Sequence, residues 1–118
     1  MANEHLVFVY GTLRDEAKDP TEYTLSGYEM FSAGAFPYIR QGEGTIKGQL
    51  LVANDSDMKY LDQYEGVERG LYTRERVHVL KNGKADEALE VWAYVAGPLL
   101  NSPKIDSGDW VSYRYNRS

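Results

Sequence analysis

The chain has 118 residues, a formal net charge of −5 and no cysteine, and 42% of its residues are hydrophobic. Such a composition is typical of a folded domain, and we expect a single domain over residues 1–118. The absence of cysteine excludes disulfides, cysteine nucleophiles and thiolate metal sites. The negative net charge opposes non-specific binding to nucleic acid.

The spacing of the histidines and the length of the apolar runs argue against a metal site and a membrane helix. His5 and His78 have no histidine or cysteine at metal-ligand spacing, so we expect no metal site. No apolar run approaches the roughly 20 residues that a membrane helix needs, and the first residues lack the basic and apolar segments of a secretory signal. We therefore expect a cytoplasmic protein that does not contact a membrane.

The first half of the chain is predicted to be mostly extended. The continuous apolar run Leu6–Tyr10 indicates a central strand that is buried on both faces. Residues 14–24 are polar and predict a loop with at most a short helical turn. A weak strand is expected over 27–31 and an extended crossing segment over 35–38, before residues 45–53 resume a strand pattern.

The second half begins with a helix and continues with a hairpin. Possible N-cap residues start at Asn54, and apolar residues then recur at helical spacing until Gly66. Strands are predicted over 74–80 and 89–95, around the Asn82-Gly83 pair that favours tight hairpin turns, although a few loop residues could widen this turn. Residues 101–109 predict another loop.

These elements predict the fold class. Many strands and one clear short helix indicate an α+β domain with a strongly curved or closed sheet that is covered by helix and loops. The alternative is a plain β-sandwich.

Glu65 occupies an unusual position for a charge. At 100° per residue it lies about 20° from Met58 and about 40° from Leu61, on the apolar face of the predicted helix. One interpretation is that its carboxylate bends out to water or pairs with Arg69 or Arg74. The other is that burial raises its pKa toward neutrality, which makes it a candidate general acid/base.

The segment that follows the first strand could bind an anion. Gly11 allows a positive φ and the close approach of a ligand, and the amides of Thr12 and Leu13 become free where the strand ends. The alternative is an ordinary turn in which Tyr10 packs in the core and Arg14 is solvated.

Other residues could line a pocket beside the helix, although each of them is individually more typical of core or surface. Tyr72 and Arg74 are the candidates on the strand after the helix. Four further aromatic residues could form walls: Tyr38, Trp92, Trp110 and Tyr113.

Several separated motifs together resemble one family. VYGTLR ends the first strand, FPYI is followed by GEGTIKGQL, LDQYEGV precedes LYTR, and SGDW lies near the C-terminus. In order and spacing these motifs are similar to the γ-glutamylcyclotransferase-like superfamily, and most of all to its small γ-glutamylamine cyclotransferase (AIG2-like) branch.

The resemblance implies a small barrel-like mixed β-sheet flanked by short helices. It also implies a reaction without a cofactor, in which a γ-glutamyl compound cyclises to 5-oxoproline and releases a free amine or amino acid. The implied catalytic acid/base is Glu65. The implied substrate-binding residues are Tyr10, Gly11, Thr12, Leu13, Arg14 and Tyr72.

Other functions remain open at this point. The chain could be a non-catalytic small-molecule binding module that retains the fold and pocket, or it could act on another γ-glutamyl-bearing molecule. Residues 14–24 are shorter and more acidic than the corresponding segment of the family, which alters one pocket wall. The acidic residues between 15 and 22 would disfavour anionic substrates. The sequence does not define an oligomeric state.

Overall fold

A computed structural model describes residues 4–11, 14, 17, 20–32, 37–96, 104–105 and 108–111, and the structural statements below concern these residues. The strands are β1 (Glu4–Val9), β2 (Tyr23–Ser32), β3 (Pro37–Asn54), β4 (Tyr72–Lys81), β5 (Lys84–Ala96) and β6 (Lys104–Ile105). The helix α1 (Asp55–Tyr64) is followed by a 3₁₀ helix at Val67–Arg69. In this part of the chain no helix is long and apolar enough to span a membrane.

The sheet closes on itself. Its strand order is β3-β1-β5-β4-β2-β6, and β2 also pairs with β3, so five strands form a closed barrel to which β6 is added at β2. β1 and β5 are parallel, and the other pairs are antiparallel. The predicted α+β class with a barrel-like mixed sheet is confirmed, and the β-sandwich alternative is wrong because a single sheet closes instead of two sheets stacking.

The long strand β3 makes this closure possible. Residues 37–48 pair with β2, and residues 49–54 pair with β1. A Cβ at Gly48, where the partner changes, would lie 2.4 Å from the carbonyl oxygen of Val9 and 2.8 Å from the Phe8 ring, so only glycine lets the strands approach this closely. The predicted segments 35–38 and 45–53 therefore belong largely to one strand, although residues 33–36 lie outside the described part.

Glycine also explains why β2 is longer than predicted. The strand continues through Gly27, which has a φ of 85° at a register shift between Ser26 and Tyr28. The residue that indicated a strand boundary in the sequence is therefore a β-bulge within a ten-residue strand.

Two apolar clusters lie on opposite faces of β1. Phe8 packs inside the barrel with residues such as Ile39 and Val91, whereas Val7 and Val9 pack on the other face in the cluster that contains the buried residues of α1. All three β1 residues are at most 4% exposed. The prediction of a central strand buried on both faces is confirmed.

The helix begins and ends as the sequence predicts. The Asn54 side chain accepts a hydrogen bond from the Asp57 amide, and the Asp57 carboxylate accepts one from the Asn54 amide. Met58 and Leu61 are buried against the barrel. Glu65 is the C-cap, and Gly66 adopts the left-handed conformation with a φ of 68°.

The predicted hairpin is present, with a tight turn. Asn82 and Gly83 both have positive φ, as a two-residue type I′ turn requires, so no further loop residues widen it. The predicted loop 101–109 contains the short strand β6 at 104–105, while residues 101–103 and 106–107 lie outside the described part. That residues 1–118 form a single domain stays a prediction.

Candidate active site

A pocket of about 320 Å³ lies where β1 ends. One wall is formed by residues 8–11, at the end of β1 and just beyond it. The opposite side is formed by the end of α1 and the turn after it, and β4 and β5 contribute Tyr72 and Tyr94. Parallel pairing of β1 with β5 and antiparallel pairing of β5 with β4 bring these segments together from distant parts of the sequence.

Glu65 lies in this pocket and is partly buried there. Burial raises the pKa of its carboxyl from 4.5 to about 7. Across the described ranges no group donates a hydrogen bond to this carboxylate or forms an ion pair with it. Arg74, one of the two partners considered from the sequence, instead pairs with Asp62 at 3.4 Å.

Three tyrosines line the pocket, and each of their hydroxyls donates a hydrogen bond within the protein. The Tyr10 hydroxyl donates to the carbonyl oxygen of Tyr94 at 2.6 Å. The Tyr72 hydroxyl donates to the carbonyl oxygen of Pro37 at 3.0 Å, and the Tyr94 hydroxyl donates to Oδ1 of Asp62 at 2.7 Å. We call Tyr10, Tyr72 and Tyr94 the tyrosine floor.

The tyrosine floor stays protonated. Burial is the main cause that raises the pKa of each of these phenols, and the nearby Glu65 charge raises all three further. All three tyrosines line the same pocket as Glu65.

Gly11 lies in the pocket wall, but the reason that glycine is needed there differs from the one expected. It does not adopt a positive φ. A Cβ at this position would lie 2.8 Å from Cγ and 2.9 Å from Cδ of Pro37, so glycine is needed for the close approach of the Pro37 ring. Thr12 and Leu13 lie outside the described residues, and the anion-binding role of their amides stays a prediction.

Arg14 does not line the pocket. Its Nε donates to Oε1 of Gln49 at 3.2 Å, and its Nη1 donates to Oδ1 of Asp109 at 3.3 Å, with only 15% of the side chain exposed. The solvated Arg14 that the sequence allowed is therefore not observed. Its contacts connect the segment after β1 to β3 and to the SGDW motif.

Three pocket residues were not predicted as site residues from the sequence. They are Tyr94, Pro37 and Arg69, of which Pro37 belongs to the FPYI motif and Arg69 was considered only as a partner of Glu65. Of the aromatic residues considered as walls, Tyr38 and Trp110 are core residues instead, while Trp92 lies beneath the guanidinium groups of Arg74 and Arg76 at 4.8 and 4.1 Å. Tyr113 lies outside the described residues.

No group of three or more histidine, aspartate and glutamate side chains in the described segments is arranged to hold a metal ion. The pocket contains two formally charged residues among the residues described, Glu65 and Arg69. Its chemistry therefore depends on one buried carboxyl group, one guanidinium group and the neutral hydroxyls of the tyrosine floor.

The closed barrel and this pocket define a small α+β protein whose site holds an acid poised near neutral pH. The chain belongs to the gamma-glutamyl cyclotransferase, AIG2-like family, whose model matches residues 7–112. The resemblance found in the sequence motifs is thereby confirmed at the level of the superfamily.

Similar proteins agree with this assignment. A putative gamma-glutamylcyclotransferase of Vibrio cholerae is 30% identical over 119 residues, which cover 91% of this chain and 96% of that protein. The gamma-glutamylcyclotransferase family protein YtfP of Escherichia coli K12 is 27% identical over 89% of this chain and 95% of its own length. The solved structure of YkqA from Bacillus subtilis matches with a TM-score of 0.74 and 26% identity over 98% of this chain and 42% of that one.

Proposed function

We propose that this protein is a cytoplasmic γ-glutamyl cyclotransferase. The α-amino nitrogen of a γ-glutamyl compound forms a bond to its own side-chain carbonyl carbon, and the bond from that carbon to the leaving nitrogen breaks. The products are 5-oxoproline and a free amine or amino acid. The reaction consumes no second substrate and needs no cofactor.

Glu65 carries the proposal. Over the reaction the α-ammonium loses two protons, of which one goes to the leaving nitrogen and the other to the product amine or to solvent. The Glu65 carboxylate takes the first proton and then donates it to the leaving nitrogen. A pKa of about 7 suits a group that must accept and donate a proton near neutral pH.

In the proposed complex the tyrosine floor binds the α-ammonium group of the substrate. Each phenol has one hydrogen, and in Tyr10 and Tyr72 it is already donated to a backbone carbonyl. The oxygen lone pairs are what these hydroxyls can offer to a ligand, and an ammonium group has three N–H donors to match them. In this arrangement the ammonium lies beside Glu65, which must deprotonate it.

The segment after β1 is proposed to hold the rest of the glutamyl group. Gly11 lets the chain pass close to Pro37, and the amides of Thr12 and Leu13 bind the α-carboxylate or the developing oxyanion. Arg14 fixes this segment through Gln49 and Asp109. The pocket of about 320 Å³ suits a small substrate folded for ring closure, and holding that conformation supplies much of the catalysis.

The test is release of 5-oxoproline from γ-glutamyl amino acids and γ-glutamyl amines, including γ-glutamyl-ε-lysine. The wild type, the Glu65→Gln variant and the matched Glu68→Gln variant are compared, because Glu68 is exposed and lies outside the pocket. We expect turnover by the wild type and Glu68→Gln, and a loss of about 10²- to 10⁴-fold in Glu65→Gln.

Two results would contradict the proposal. Equal turnover by Glu65→Gln would remove Glu65 from the mechanism. A folded wild type that binds panel compounds by calorimetry but releases no 5-oxoproline would instead be the non-catalytic binding module.

A further inference from the structure

Arg69 is the basic residue among the described residues that line the pocket. It is the last residue of the 3₁₀ helix that follows α1, and it is exposed. The proton transfer described above does not use it. Its position, and the fact that none of the described residues pairs with it, bear on which substrates the pocket accepts.

The turn after α1 directs the Arg69 guanidinium toward the pocket. The Arg69 and Leu71 amides both donate to the carbonyl oxygen of Gly66, at 3.0 and 3.2 Å. Nη2 of Arg69 lies 3.1 Å from the position that a Cβ on Gly66 would take. The guanidinium therefore folds back over Gly66, next in the chain to Glu65.

Arg69 has no protein carboxylate to pair with among the side chains that the structure describes. Three other arginines do have one: Arg14 pairs with Asp109, Arg74 with Asp62, and Arg76 with Glu90. Among the described contacts Arg69 forms no ion pair with Glu65 either, although both residues line the pocket. A guanidinium that lines a pocket and is paired with none of the described carboxylates favours a bidentate carboxylate ligand.

We propose that Arg69 binds a carboxylate on the leaving amine, so that the enzyme prefers γ-glutamyl amino acids to γ-glutamyl amines without that charge. This inference rests on the proposed function. The glutamyl group occupies the inner part of the pocket, between the tyrosine floor and Gly11. Arg69 and Tyr64 lie at the exposed mouth, and Tyr64 is 58% exposed there. The leaving group is the part of the substrate that extends to this mouth.

This preference opposes the overall charge of the chain. The net charge of −5 and the acidic residues between 15 and 22 repel anions at long range. Salt screens such repulsion over about 8–10 Å, whereas a direct guanidinium–carboxylate contact is screened much less. The local contact therefore decides which leaving group binds.

The test compares γ-glutamylalanine with γ-glutamylethylamine, which lacks only the alanine carboxylate. We expect the wild type to have a kcat/KM about 10- to 100-fold higher for γ-glutamylalanine. In Arg69→Gln this ratio should fall close to one, mainly because the kcat/KM for γ-glutamylalanine falls. Arg69→Lys should retain part of the preference for γ-glutamylalanine. Lys59→Gln, which removes one positive charge from the exposed side of α1, should keep the wild-type ratio.

Two outcomes would overturn this inference while leaving the cyclotransferase proposal intact. One is a wild type that turns over both compounds equally. The other is an equal loss for both in Arg69→Gln, which would place the guanidinium on the glutamyl part or in a structural role. If the wild type turns over neither compound nor any other in the panel, the proposed function fails, and calorimetric titration of the same pair decides the carboxylate preference separately.

Discussion

The tyrosine floor and the two charged residues of the pocket are built in opposite ways. On the floor, the hydroxyls of Tyr10, Tyr72 and Tyr94 each donate to an acceptor within the protein. By contrast, the charges of Glu65, in the inner part of the pocket, and of Arg69, at its mouth, have no partner among the described residues. Hydrogen bonds within the floor fix its geometry, whereas no described hydrogen bond or ion pair fixes these two charged groups.

The largest expected effect concerns Glu65 and depends on pH. In the proposed mechanism Glu65 starts as a carboxylate, so kcat/KM should rise with pH, with the inflection at about 7 that the pKa of Glu65 sets. From pH 5 to the plateau the increase should be about 100-fold, since roughly 1% of a group with that pKa is ionised at pH 5. Initial rates at low substrate concentration measure this profile.

The Glu68→Gln variant is the control for this profile and should keep the same inflection. Residual activity of Glu65→Gln should lack it. A wild-type inflection near 4.5, the ordinary value for a glutamate, would mean that Glu65 is not buried as the structure shows.

The second prediction concerns one hydrogen bond of the tyrosine floor. Tyr72→Phe leaves the buried carbonyl oxygen of Pro37 without its hydrogen bond, which should lower the free energy of unfolding by about 1–3 kcal/mol. Urea denaturation measures the loss. Tyr60→Phe, at a side chain that is 66% exposed, should be close to neutral. Equal effects of the two variants would show that the Tyr72 hydrogen bond does not stabilise the floor.

The third prediction concerns the cost of burying Glu65. Because its pKa is raised in the folded state, the contribution of this residue to stability is fully present below about pH 4.5 and is lost as pH rises through about 7. Glu65→Gln cannot ionise. Above pH 7 it should therefore be more stable than the wild type by about 1–2 kcal/mol, a value reduced for partial exposure of the side chain.

Urea denaturation of both proteins at pH 5 and pH 8 measures this difference. The advantage of Glu65→Gln should be small at pH 5 and larger at pH 8. A difference that does not change with pH would contradict the raised pKa. With loss of activity in the same variant, a gain in stability would show that function and stability conflict at this residue.

Sequence pattern indicated Glu65 but missed Tyr94. Glu65 was found because helical periodicity is local: Met58, Leu61 and Glu65 lie within eight residues, so one helix places them on one face. Tyr94 was missed because its partnership with Tyr10 spans 84 positions of the sequence. That contact arises only when β1 and β5 pair in parallel during closure of the barrel, which no local pattern encodes.

Arg14 is a second residue whose contacts no local sequence pattern predicts. Its neighbours in the VYGTLR motif suggested a ligand, but its observed partners, Gln49 and Asp109, lie 35 and 95 positions away. Gly11 was expected to allow a positive φ and the close approach of a ligand, yet its φ is not positive and the group that approaches it is the Pro37 ring, from a distant strand.

The smallest expected effect concerns Arg14, and it tests whether this residue holds the segment after β1 in place or binds the substrate directly. If it only ties the segment after β1 to Gln49 and Asp109, Arg14→Gln and Asp109→Asn should each raise KM by a few fold and lower stability by about 1 kcal/mol. The double variant should then show less than the sum of the two effects, because both changes remove the same contact. If Arg14 instead binds the substrate directly, Arg14→Gln should raise KM far more than Asp109→Asn does. Kinetics of the three variants on one γ-glutamyl substrate separate these cases, and the first result would make Arg14 a positioning residue that supports the pocket from behind its wall.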